Sequence, residues 1–95
     1  MQHCILVKWN EEVTDKMALL PGIQAIFDRS KTFPGIHGVE YITNVIDRPN
    51  RYDLLIRIDM DKDVLSDYDA SEFHHAWKDG YSAKIAKKAI FDYED

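Results

Sequence analysis

The chain has a single cysteine, Cys4, so no disulfide can form within it. That suits a reducing compartment. No apolar run approaches the ~20 residues needed to cross a bilayer. The opening stretch MQHCILVKWN has no charged leader ahead of a long apolar core. An export signal is therefore not expected, and a cytoplasmic location is. Positive charge is also scarce, with 12 Lys and Arg against 17 Asp and Glu and a net charge of −5. A nucleic-acid binder needs clustered cations to displace counterions from phosphates. The one basic cluster, Lys84, Lys87 and Lys88, reads as a solvated helix end. Repeats, linkers and low-complexity segments are absent from the sequence.

What is abundant is aromatic. Trp9 and Trp77 accompany five tyrosines and four phenylalanines in 95 residues. The composition is that of a folded domain, and the length allows one, spanning 1–95. A chain this short buries roughly 60–65% of the surface its unfolded form exposes. The core is modest, so a second subunit is a natural source of further burial.

Period-two patterns mark the strands. In HCILVKW, residues 3–9, His3, Ile5, Val7 and Trp9 point one way and Cys4, Leu6 and Lys8 the other. VEYITNV (39–45) alternates, and YDLLIRIDM (52–60) puts Tyr52, Leu54, Ile56, Ile58 and Met60 on one apolar face. A last short strand is expected over 89–94. Helical spacing of Val13, Met17, Leu20, Ile23 and Phe27 marks residues 11–33, with a break near Leu20–Pro21 and a firmer helix to about Arg29. Residues 62–89 read as a second helix in two pieces.

The order β-α-β-β-α-β suits an α+β, ferredoxin-like protomer, a four-stranded antiparallel sheet with both helices on one face. The second sheet face carries Cys4, Leu6 and Ile42, which one protomer cannot cover. A homodimer pressing two such faces together, a dimeric α/β barrel, is the expected remedy.

HCILVKWN, FPGI, YDLLIRI, DYDASEFHHAW and IFDYED, in that order, resemble the stress-responsive A/B barrel domain family. The resemblance spans nearly the whole chain and implies the same dimeric barrel. It also resembles members of the olivetolic acid cyclase type, which close a polyketide with a second-helix histidine and a nearby tyrosine. That resemblance implies catalytic roles for His74 and Tyr68 and a pocket position for His3. A third-strand pocket histidine of those members falls at Leu54 here. Where the family has His-Pro before the main histidine, this chain has Ser71-Glu72.

The tandem His74 and His75 differ in direction. On a helix, Trp77, Tyr81 and Ile85 fall about 60° or less from His74, whereas His75 is about 100° away on the polar arc. The two cannot chelate one metal from one helix, and no metal or other cofactor is expected. Ser71 is a candidate N-cap, which places His74 in the first turn, where the helix dipole disfavours an imidazolium. A neutral imidazole can act as a general base. Tyr68 can orient it or donate to an enolate oxygen. Trp77 and Phe27 would wall the pocket, with His3 and Leu54 contributing to it.

Pattern alone equally fits bland roles: His74 as a hydrogen-bonded core residue, His3 at a strand start near the surface, His37 exposed, Cys4 as a small buried hydrophobe. The acidic run DMDKDVLSDYD is no calcium loop, since Val64 stands where glycine is needed and Ala70 where glutamate is. Two functions follow, beside a haem- or flavin-linked monooxygenase role that only the analogy to other dimeric barrels suggests. One is a small-molecule cyclase or lyase that takes a proton next to a carbonyl. The other is a non-catalytic stress-response or binding protein holding a small apolar or polyketide-like ligand.

Overall fold

A computed structural model describes residues 1–94. Strand β1 spans Gln2–Trp9, with the alternation read above. Pro21 divides the segment that follows. Lys16–Leu19 form a 3-10 turn, capped by Asp15, whose side chain accepts the Ala18 N–H at 3.3 Å. Helix α1 then runs Leu20–Ser30 with Pro21 in its first turn, where a missing N–H costs no helical bond. Residues 11–15 are not helical, because the chain turns sharply on leaving β1: the Val13 N–H bonds back to the Asn10 carbonyl at 3.2 Å.

Strand β2, Ile36–Thr43, begins three residues before the expected 39. Ile36 is drawn into the sheet by pairing with Met60, and one extra residue, His37, bulges before Gly38 meets Asp59. Gly35 makes the entry turn with φ of 93°, and a Cβ there would lie 2.8 Å from a Val64 methyl. Strand β3 is Leu54–Met60. Two short helices follow the 3-10 turn Lys62–Val64: α2, Leu65–Asp69, and α3, Glu72–Tyr81. Ser71 caps α3, its Oγ accepting the His74 N–H at 3.4 Å.

The helix expected over 62–89 ends early. After the turn Ser82–Lys84, residues Ile85–Tyr93 form strand β4, far longer than the short strand expected over 89–94. Alanine and lysine favour a helix locally, but pairing with β1 from Trp9↔Ile85 to Gln2↔Tyr93 satisfies this backbone instead. Ile85 is therefore not part of a helical stripe with His74.

The sheet order is β2-β3-β1-β4, all antiparallel. With the helices packed on one face, this is the ferredoxin-like α+β fold. Val7, Ile56 and Ile58 are fully buried beneath Ile23 and Phe27 of α1 and Trp77 of α3. Trp77 stacks on Tyr81 at 5.3 Å and meets Phe27 at 5.4 Å. Each such side chain contributes about 1.5–3 kcal/mol by leaving water. Gly22 lets α1 approach α3 closely, since the Tyr81 hydroxyl occupies the space a Cβ would need.

The register places Leu6, Leu55, Ile42 and Ala89 in one row across the other face, and Cys4, Phe91, Arg57 and Glu40 in the next. Phe91 is 64% exposed and Ile42 45%. Among the described residues, no helix is long and apolar enough to cross a membrane.

Candidate functional site

Helix α3 and strand β4 are joined by three residues, so the chain folds back and the two elements run side by side. Between them lies a cleft of about 440 Å³. Its floor is Ile5 of β1, Ile90 of β4 and Trp77; its polar groups include His3, His74, His75, Asp92 and Asp69.

His74 is half-buried and His75 exposed. The buried stripe of α3 is carried by Phe73 and Trp77, so His74 sits on its flank. Burial lowers the His74 pKa from its ordinary 6.5. Asp69 opposes that shift, and Lys78, Lys88 and His75 reinforce it. The imidazole is thus held neutral at pH 7, as a proton acceptor must be. His75 also lines the cleft, its ring 6.5 Å from that of His74, so the polar arc is not simply open solvent.

His3 lies in the same cleft, paired in a way the sequence did not reveal. Its Nδ1 lies 2.5 Å from Asp92 Oδ1, with the His3 side chain 8% exposed and Asp92 37%. A carboxylate only accepts, so Nδ1 carries the proton. In the neutral ring Nε2 is then left as the acceptor. Asp92 sits 89 residues away in the chain. The signal that finds it is the register: His3 pairs with Asp92 across β1 and β4, so both side chains point to the helical face.

The remaining expected site residues stand elsewhere. The Tyr68 ring meets the His74 ring edge-on at 6.3 Å, but Tyr68 is fully buried and does not line the cleft. Its hydroxyl has no hydrogen-bond partner. Burial pushes its pKa up to about 12, against a smaller opposing effect of Ser30, whose approach falls short of hydrogen-bond geometry. The Ser30 Oγ donates instead to the Phe27 carbonyl at 2.5 Å. Phe27 is fully buried core that supports Trp77 from below. Leu54 lies in a different cleft, of about 370 Å³, with Trp9, Met17, Leu20 and Val45. The one largely buried acid in that second cleft, Asp53, is already occupied: Oδ2 accepts the Trp9 N–H at 2.8 Å and Oδ1 the Lys16 ammonium at 2.9 Å. No histidine lines that cleft; besides Asp53 its acids are Asp15, which caps the turn at Lys16, and the exposed Asp47. Among the described residues, no group of three or more His, Cys, Asp or Glu is arranged to hold a metal ion.

No family model matches the chain, and no curated protein does. Solved structures do. A dimeric ferredoxin-like protein of unknown function from Bacteroides fragilis superposes with a TM-score of 0.80 at 16% identity, covering 99% of this chain and 94% of that one. A DABB family protein from Mesorhizobium loti gives 0.76 at 14% identity, with 99% and 94% covered. Hydroxynitrile lyase from Passiflora edulis gives 0.74 at 10% identity, with 97% and 89% covered. At such identities the likeness establishes the fold, a ferredoxin-like α+β domain whose solved neighbours include dimers.

Proposed function

We propose that this protein is a member of the stress-responsive A/B barrel family and a small-molecule enzyme of the cyclase or lyase kind. Its acid–base site is the cleft between α3 and β4. The observation that carries this reading is the His3–Asp92 pair facing the same apolar cleft as a neutral His74. A carboxylate that fixes one imidazole nitrogen as donor leaves the other as acceptor. A base there takes a proton from the carbon next to a carbonyl. The C–H bond breaks, an N–H bond forms, and the electron pair moves into the carbonyl to give an enolate. The imidazole that accepts this proton then returns it, or one exchanged from water, to the product carbon. Tyr68 and Phe27 act behind the cleft by packing His74 and Trp77 into place. The likeness to a hydroxynitrile lyase and to a DABB family protein agrees with the proposal at the level of fold.

The same reading makes the protein a homodimer through its open sheet face. Phe91, Ile42, Leu6 and Leu55 form the apolar part of that face, and an apolar patch of this kind in water favours a covering partner.

The test is deuterium uptake next to the carbonyl of a panel of linear and cyclic ketones, followed by NMR. Uptake above the buffer rate is expected. Asp92→Asn, which holds His3 in no fixed tautomer, and His74→Ala are each expected to lower it at least about tenfold, a modest share of the usual acid–base contribution. No uptake across the panel would leave the protein a non-catalytic ligand binder.

A further inference from the structure

The cleft is polarised along its length. On α3, Lys78 follows His74 by four residues and so shares its face. On β4, Lys88, Ile90 and Asp92 are two residues apart and point the same way. Because α3 and β4 are joined by a tight reversal, Lys78 and Lys88 lie toward one end of the cleft and the His3–Asp92 pair toward the other. Ile90, Ile5 and Trp77 lie between. Ile90 is 48% exposed, a large apolar side chain left open on the helical face of the edge strand β4, between the exposed Lys88 and Asp92.

Neither lysine forms an ion pair among the described residues. The carboxylates found with lysines are Asp28 with Lys31, and Asp47 and Asp53 with Lys16. In the cleft itself Asp92 is engaged by His3. Asp69 precedes α3 in the chain, at the end of the helix remote from Lys78. In a protein of net charge −5, Lys78 and Lys88, both exposed and outside any ion pair among the described residues, line the rim of one cleft with an apolar floor.

Resting on the acid–base reading of the same cleft, we propose that its substrate is a carbonyl compound bearing a carboxylate. Lys78 and Lys88 hold the carboxylate, a short apolar chain lies on Ile90, Ile5 and Trp77, and the carbonyl end reaches the histidines. Sequence alone hid this arrangement, since Lys88 read as the end of a helix whereas it is a strand residue facing the cleft.

The probes are 6-oxoheptanoate and its methyl ester, which differ only in the anionic charge. Binding to the full chain is followed by amide chemical shifts, and exchange next to the ketone by deuterium uptake. The carboxylate is expected to bind about tenfold more tightly than the ester, the ratio that a single charged contact of roughly 1.4 kcal/mol supplies. Lys88→Met and Lys78→Met should each shrink that preference several-fold. Lys31→Met, remote from the cleft, should keep it. Equal binding of acid and ester overturns the proposal, as does a preference that survives both cleft substitutions. The two readings separate cleanly. Exchange of acid and ester at equal rates and affinities removes the anion site and leaves the acid–base site standing. A lysine-dependent preference without any exchange keeps the anion site and removes the chemistry.

Discussion

Replacing Tyr68 with phenylalanine should stabilise this protein, an unusual direction for a fully buried residue. Most core substitutions cost stability, centred near 1 kcal/mol. Here the ring would stay where it is, between Phe33 at 6.1 Å and His74 at 6.3 Å. Only the hydroxyl is removed, and that hydroxyl is buried without a partner. Leaving such a group unsatisfied costs about 1–3 kcal/mol. Losing one oxygen leaves a void smaller than a methyl group, which takes back part of the gain. The net expectation is about 1 kcal/mol of added stability, or roughly 4–8 °C in Tm for a domain of this size. Urea and thermal unfolding followed by circular dichroism measure it. A loss of 1 kcal/mol or more would show that the hydroxyl is well bonded in solution, with Ser30 the obvious acceptor, and the account of its isolation would fail. Ketone exchange supplies an independent readout. Tyr68→Phe should change the rate by less than about threefold, whereas an acid–base residue contributes 10²–10⁴-fold. A hundredfold drop would put the hydroxyl at the reacting atoms despite its burial.

His74 supplies a second expectation. Its folded-state pKa lies below the ordinary 6.5, chiefly through burial. The unfolded chain therefore holds that proton more tightly. The stability this group contributes is present above pH 6.5 and is lost as pH falls through 6.5 toward the folded value. His37, exposed and bonded to Asp61 at 2.8 Å, is shifted upward and has the opposite sign. NMR titration of the individual rings separates them, and a His74 titrating above 6.5 would contradict its burial. Exchange activity carried by His74 should likewise persist below pH 6.5. A third expectation concerns the open sheet face: Phe91→Glu should convert a dimer to a monomer in sedimentation. Phe91 is 64% exposed in the protomer, so the monomer's own stability should move by no more than about 0.5 kcal/mol. Wild-type protein that sediments as a monomer at micromolar concentration refutes the dimer.

Much of the fold could be read without coordinates because it is written in local periodicity. The alternation in residues 2–9 and 54–60 fixes which side chains of β1 and β3 enter the core. Pro21 marks where α1 can begin, and Ser71 where α3 does. Those features depend on a residue and its near neighbours, through φ restriction, capping and side-chain direction. The stretch 85–89 was misread for the same reason. Its lysines and alanines carry a helical preference worth a fraction of a kcal/mol each, and nothing local announces that β1 lies alongside with a free edge.

The candidate site divides along the same line. That His74 and His75 face different surroundings follows from about 100° per residue, and Ser71 placed His74 in the first helical turn. Sequence could not decide which partner each group would have. His3 and Asp92 meet because two strands at opposite ends of the chain pair in one register. Tyr68, spaced from His74 as the resemblance suggests, has its hydroxyl drawn into the core by the break between α2 and α3. Lys88 reaches the cleft because it lies in a strand. Local sequence therefore determined the elements and the direction of each side chain. Tertiary pairing decided which of those side chains share a cleft, because contacts between residues far apart in the chain are set by register and packing, which no short stretch encodes.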